Sequence, residues 1–168
     1  MNHPTTVPDN FETTVRHRLV GKVAVMGIGN TLRSDDGVGV RLVEGLQHLH
    51  LPAGVRPFVC DTAPENFVGP VADFQPGTIL MIDAAELGDE PGSVRLVGLE
   101  DIAGTGMTTH TLSLRLLGNM LESATDATVL LLAVQPKSRA FGTGLSGEVE
   151  QTLRYLTEVL AHVLHHRP

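Results

Sequence analysis

Residues 27–39 constrain this chain more than any other part of its sequence. They follow the apolar run at residues 23–26 and begin with a Gly-x-Gly turn, a pattern typical of a buried strand that leads into a helix. The adjacent carboxylates Asp35 and Asp36 stand where a nucleotide-binding loop would hold its phosphate. Because the positive end of a helix favours anions, these two side chains would occupy that end and repel a pyrophosphate. The segment therefore predicts an acidic site that attracts cations.

Apolar runs alternate with amphipathic helical stretches along the rest of the chain. The predicted strands are residues 23–28, 55–60, 78–83, 93–99 and 127–134, and the predicted helices are residues 38–49, 67–74, 109–121 and one that follows Ser146. Aromatic residues are only 4% of the sequence, and the strands are aliphatic, as in parallel sheets buried on both faces. We predict an α/β fold, a three-layer α/β/α sandwich in which a mostly parallel twisted sheet carries helices on both faces.

The N-terminal part of the chain differs in composition from the rest. Residues 1–19 are polar and contain two prolines, so we expect a flexible polar tail ahead of a single α/β domain at residues 20–168. This segment lacks the apolar core of a signal peptide, and no run of about 18 apolar residues occurs that could span a membrane. The apolar face of the last predicted helix is used by the core, which favours a monomer.

Charge and cysteine content narrow the class of protein further. The net charge of −7 opposes binding to nucleic acid or to an anionic membrane surface. Cys60 is the only cysteine, which excludes an internal disulfide and is typical of the cytoplasm. We therefore expect a cytoplasmic protein with neither nucleic acid nor membrane as its partner.

Three polar residues are expected to meet at one edge of the sheet. Asp36 follows the first strand, Asp83 ends the third, and His110 opens a later helix, and sites in such sheets lie outside the carboxyl ends of the strands. Two carboxylates and an imidazole suit a divalent ion such as Zn²⁺ or Ni²⁺ and leave coordination positions open. Each residue also has an ordinary alternative, as a helix cap, a strand-end turn residue or a backbone-bonded histidine.

Other catalytic and binding motifs are absent from the sequence. The glycine turn lacks the third glycine of a dinucleotide fingerprint, and neither a P-loop nor a Gly-x-Ser-x-Gly elbow occurs. Cys60 has no basic neighbour that would activate a thiol. The sequence therefore favours an acidic metal-contacting site over a phosphate site or a nucleophile.

The motifs together resemble those of the hydrogenase maturation endopeptidase family, whose members remove a C-terminal peptide from the large subunit of nickel–iron hydrogenases. The resemblance extends from about residue 23 to residue 160. It rests on the motifs at residues 27–39, 63–66, 82–84, 107–110 and 135–136. The segments Ala-Pro-Glu-Asn and Met-Thr-Thr-His most resemble the branch that processes hydrogenases of the formate-hydrogenlyase type.

The resemblance implies roles for particular residues. Asp36, Asp83 and His110 match the family's nickel-contacting positions, and the nickel is supplied by the precursor of the hydrogenase large subunit. Asp36 and Asp83 are also the catalytic candidates, with a metal-polarised water or carbonyl and a carboxylate base as open alternatives. Asp61 matches the family's substrate-recognition loop, although the usual paired glycines are missing here. The alternative function is a non-enzymatic carrier or sensor that binds nickel.

Overall fold

One five-stranded sheet organises the chain. The computed structural model describes residues 3–104 and 109–167, with the backbone alone for residues 103, 104 and 109–112. The strands are β1 (Val23–Ile28), β2 (Val55–Asp61), β3 (Thr78–Ala84), β4 (Val94–Gly98) and β5 (Thr128–Val134). Their order in the sheet is β2-β1-β3-β5-β4, and every pairing is parallel except that of the edge strand β4 with β5.

Helices cover both faces of the sheet. They are α1 (Phe11–Arg18), α2 (Val38–Gln47), α3 (Val68–Phe74), α4 (Thr109–Ala124) and α5 (Gly147–His166). Apolar residues of α1, α2 and α5 form one core with one face of the sheet, and those of α3 and α4 form a second core with the other face. The predicted α/β/α sandwich is therefore confirmed. Among the described residues, no helix has the length and apolarity that crossing a membrane would require.

Strand register aligns the carboxyl ends of the central strands. Every residue of β1 and of β3 is buried, as expected for parallel strands covered on both faces. Gly27 of β1 pairs with Ile82 of β3, so the residues that follow β1 and those that end β3 reach the same edge of the sheet. This register places the loop after β1 beside Asp83.

The N-terminal segment differs from the flexible tail that its composition predicts. Residues 11–18 form α1, and Phe11, Val15 and Leu19 are buried in the same core as α5. These three residues recur at intervals of four, which places them on one face of a helix. The apolar stripe lies within a polar stretch, so average composition concealed it, and the packed structure begins well before residue 20.

Candidate functional site

A cleft of about 570 Å³ opens at the carboxyl ends of β1 and β3. Three of the predicted site residues, Asp36, Asp61 and Asp83, line it together. The remaining lining residues are Ile28, Gly29, Thr62, Pro64 and Glu65 from the strand ends and loops, and Ser113, Leu114, Leu116, Leu117 and Met120 from α4. The cleft thus has an acidic floor and an apolar wall.

Two glycines allow the loop after β1 to approach β3 closely. Gly29 has a φ of +137°, and a Cβ built there would overlap the carbonyl oxygen of Asp36 and lie 3.5 Å from Oδ1 of Asp83. A Cβ on Gly39 would overlap the carbonyl oxygen of Ile82. Because only glycine fits at both positions, the Gly-rich pattern serves to bring Asp36 next to Asp83.

Asp36 lies in the 3₁₀ turn Ser34–Gly37 and is almost buried. Its Oδ2 accepts a hydrogen bond of 3.1 Å from the backbone N–H of Asn30. Its Oδ1 lies 3.4 Å from Nε of Arg139, and the Asp36 side chain remains 12% exposed. The carboxylate is thus held on both oxygens while keeping an opening to the cleft.

Asp83 is the more deeply buried member of the carboxyl pair, with 4% of its surface exposed. Burial raises the pKa of Asp83 well above its ordinary value, and the negative charge of Asp36 raises it further. A hydrogen bond from the Ala84 backbone and the positive charge of Arg139 act in the opposite direction and are the smaller effects. The protonated form of Asp83 is therefore favoured over a wider pH range than for an exposed carboxyl group.

Asp61 reaches the cleft because of an irregularity in β2. The register with β1 shifts between Gly27 and Ile28, so that Cys60 is an extra residue in β2. Asp61 has a φ of +50°, a left-handed conformation that Asp tolerates better than most residues, and its carbonyl accepts a 3.0 Å hydrogen bond from Gly29 N–H. This bulge turns the end of β2 toward the site.

Asp35 has a structural task that separates it from its neighbour. Its side chain is fully buried and accepts hydrogen bonds from the backbone N–H groups of Lys137 (2.8 Å), Ser138 (3.0 Å) and Ser146 (2.7 Å). It also accepts a 2.9 Å hydrogen bond from the Ser146 hydroxyl. We expected Asp35 to occupy the positive end of a helix. In the structure its carboxylate instead fixes the long loop between β5 and α5.

Arg139 is a site residue that the sequence alone did not indicate. It lies in the loop fastened by Asp35, and its Nη2 donates a 3.1 Å hydrogen bond to the carbonyl of Ala84, next to Asp83. One feature of the sequence could have indicated it: Arg139 comes shortly after β5, whose carboxyl end lies at the same edge of the sheet as Asp83.

His110 is the second residue of α4, and its side chain lies outside the described part of the structure. Later residues of the same helix line the cleft. Within the described ranges, no three His, Cys, Asp or Glu side chains are grouped so as to hold a metal ion. A divalent ion contacted by Asp36, Asp83 and His110 stays a prediction, for which the two carboxyl groups supply the oxygen atoms that such ions bind.

Cys60 does not supply a nucleophile. The thiol is buried, and burial together with the charge of Asp61 raises its pKa to about 12. At neutral pH such a thiol is protonated and unreactive. A catalytic role for the carboxyl groups of Asp36 and Asp83 stays a prediction.

Comparison with known proteins gives consistent matches in sequence. A protein-family model described as hydrogenase maturation protease, HycI, matches residues 40–163 of this chain. The hydrogenase 3 maturation protease of Escherichia coli K12 is 34% identical over 112 residues, which cover 65% of this chain and 69% of that protein.

Solved structures match over nearly the whole fold. The [NiFe] hydrogenase maturation protease HycI from Thermococcus kodakarensis KOD1 superimposes with a TM-score of 0.84 at 28% identity, covering 91% of this chain and 99% of that chain. The hydrogenase maturating endopeptidase HybD from Escherichia coli gives a TM-score of 0.72 at 25% identity and covers 86% and 92% of the two chains.

Proposed function

This chain belongs to the hydrogenase maturation protease family, whose model matches residues 40–163, and on that basis we propose that it removes the C-terminal extension from the precursor of a nickel–iron hydrogenase large subunit. The supporting observation in the structure is the placement of Asp36 and Asp83 side by side at the floor of an open cleft. A peptide bond laid across that floor would meet two carboxyl groups at once.

The apolar wall of the cleft suits a peptide substrate. Leu116 and Met120 of α4 line the cleft, with 63% and 42% of their surfaces exposed. Exposed apolar side chains beside polar catalytic candidates are typical of a surface that binds a partner. Asp61 and Glu65 face this wall from the ends of β2 and the turn that follows it. We assign substrate contact to Asp61 and the wall.

Nickel is the feature by which the enzyme would recognise a finished precursor. Asp36, Asp83 and His110 would contact a nickel ion that the precursor already holds through cysteine thiolates. A precursor without nickel would lack this contact and be rejected, so that specificity depends on an interaction that the wrong substrate cannot make. Because a metal ligand must be ionised, docking requires Asp83 to lose the proton that burial favours.

Hydrolysis requires a base that accepts a proton from water. Asp36 suits this task, since a hydrogen bond from Asn30 N–H holds its carboxylate in place beside the cleft. The hydroxyl of the water forms the new carboxyl group of the mature subunit, and the leaving amine takes a proton. This assignment makes the protein an endopeptidase with an aspartate at its centre rather than a nickel carrier.

Charge, cysteine content and packing support a setting for the reaction. The acidic chain and its free, buried Cys60 suit an enzyme of the cytoplasm. The apolar face of α5 is packed in the core, which favours a monomer. The precursor subunit is its partner in this proposal, and nickel arrives with that partner.

Mass spectrometry of a candidate precursor, incubated with this protein with and without nickel, tests the proposal. We expect one released C-terminal peptide, formed only from nickel-loaded precursor. His110→Ala should fold normally and leave the loaded precursor uncut, whereas His48→Ala, outside the cleft, should cut it at the wild-type rate. Efficient cleavage of nickel-free precursor would contradict the metal requirement. Tight nickel binding without any peptide release would favour the carrier.

A further inference from the structure

Arg139 contacts both the turn that carries Asp36 and the end of β3 that carries Asp83. Its Nε lies 3.4 Å from Oδ1 of Asp36, and its Nη2 donates a 3.1 Å hydrogen bond to the carbonyl oxygen of Ala84. The side chain is 25% exposed, yet Nε is buried and forms no hydrogen bond within the described part of the structure. The contact with Asp36 is thus an ion pair without a hydrogen bond from Nε.

The surroundings of Arg139 are strongly acidic. Asp36, Asp61, Glu65 and Asp83 all line the cleft. The neighbouring cation Lys137 instead pairs with Glu148 at 2.6 Å. Among the described residues, Arg139 is therefore the cation that forms an ion pair with a carboxylate of the cleft.

The backbone around Arg139 is fixed. Asp35 binds the N–H groups of the two preceding residues. Arg33 Nε donates a 3.2 Å hydrogen bond to the carbonyl of Arg139, and the Ser34 hydroxyl donates a 2.9 Å hydrogen bond to the carbonyl of Ala140. The guanidinium group thus extends from a firmly held loop.

From these contacts we infer that Arg139 is an internal counter-ion that a divalent metal must displace from Asp36, and this inference rests on the proposed function. A metal ion on Asp36 and Asp83 would lie within a few ångströms of the guanidinium group, and two positive charges at that distance repel each other. Free ions in solution consequently bind the isolated protein weakly. An ion held by the precursor arrives with the additional contacts of the protein chain, which compensate for displacing Arg139.

Isothermal titration calorimetry with NiCl₂ and the isolated protein tests this role. Arg139→Gln removes the charge, and we expect it to bind Ni²⁺ at least about tenfold more tightly than the wild type, the effect of removing one unit charge close to the ion. Arg139→Lys keeps the charge and should retain the weak wild-type affinity. Arg154→Gln changes net charge equally, but Arg154 pairs with Glu150 on the surface of α5, so its affinity should stay unchanged.

A second measurement uses the unmodified protein. On titration with diamagnetic Zn²⁺, the ¹⁵Nε resonance of Arg139 should shift with the same binding curve as a calorimetric titration of the protein with Zn²⁺. If Arg139→Gln is folded and binds Ni²⁺ no more tightly than wild type, or if the Arg139 resonance does not respond to a bound ion, the inference is wrong. Failure of wild-type protein to cut nickel-loaded precursor would instead refute the proposed function and leave these binding results standing.

Discussion

Asp35 and Asp36 are neighbours in the chain, but their carboxylates serve different parts of the molecule. Asp35 is fully buried and accepts four hydrogen bonds from the loop between β5 and α5. Asp36 faces the cleft and contacts Arg139 of that same loop. One residue therefore fixes the loop, and the next meets the cation that the loop carries.

This division predicts opposite outcomes for two neighbouring substitutions. Asp35→Ala leaves three backbone N–H groups without the buried carboxylate that accepts their hydrogen bonds, and should lower the free energy of unfolding by about 3 kcal/mol. Asp36→Ala should change it by no more than about 1 kcal/mol but leave the nickel-loaded precursor uncut. Urea denaturation and mass spectrometry of the precursor measure the two effects. Normal processing by Asp36→Ala would contradict the assignment.

The raised pKa of Asp83 predicts how stability depends on pH. The protonated group contributes its full stability below the unfolded pKa of about 4, and this contribution is lost as pH rises through the higher pKa of the folded state. Asp83→Asn carries no such charge, so its advantage in Tm over wild type should be absent near pH 4 and grow toward neutral pH. Calorimetric scans across this range provide the check. A difference in Tm that shrinks as pH increases would reverse the sign and exclude a raised pKa.

Asp36 is one cause of that raised pKa, which can be measured directly. Replacing Asp36 with Asn removes its negative charge and should lower the pKa of Asp83, while burial keeps it above the ordinary range. The carboxyl ¹³C shift of Asp83, followed by NMR during a pH titration, reports this change. Asp89→Asn, in a surface ion pair with Arg95, is a control that should leave the titration of Asp83 unaltered.

Gly29 should tolerate no side chain. In Gly29→Ala, the new methyl group overlaps the carbonyl of Asp36 at a φ of +137°, and we expect a loss of about 2–3 kcal/mol in unfolding free energy. Gly69→Ala lies in α3, where a Cβ meets no atom within 4 Å, and should be neutral or stabilising by up to about 1 kcal/mol. Chemical denaturation of both variants compares them. Equal stability of the two variants would contradict the prediction, because it would mean that the turn carrying Asp36 can move away from Gly29 at little cost in free energy.

The sequence predicts the fold and part of the site for a clear physical reason. Buried parallel strands produce aliphatic runs, and neighbouring strands end at one edge, so Asp36 and Asp83 could be placed together without a structure. Arg139 could not, because it reaches Asp36 from a loop more than 100 residues away that is positioned by hydrogen bonds to Asp35. The pKa of Asp83 likewise depends on burial that only the packed structure defines.

The packing of α1 on α5 has a practical consequence for handling the protein. His3 contacts the ring of Tyr155, and Arg167 donates a hydrogen bond to the carbonyl of Gly54, so His3 and Arg167 both lie with α5, on the side of the sheet opposite α4. An affinity tag attached on the far side of His3 or of Arg167 would therefore leave the cleft open to a bulky protein substrate. Deleting α1 to shorten an expression clone would instead expose apolar side chains of α5 and promote aggregation.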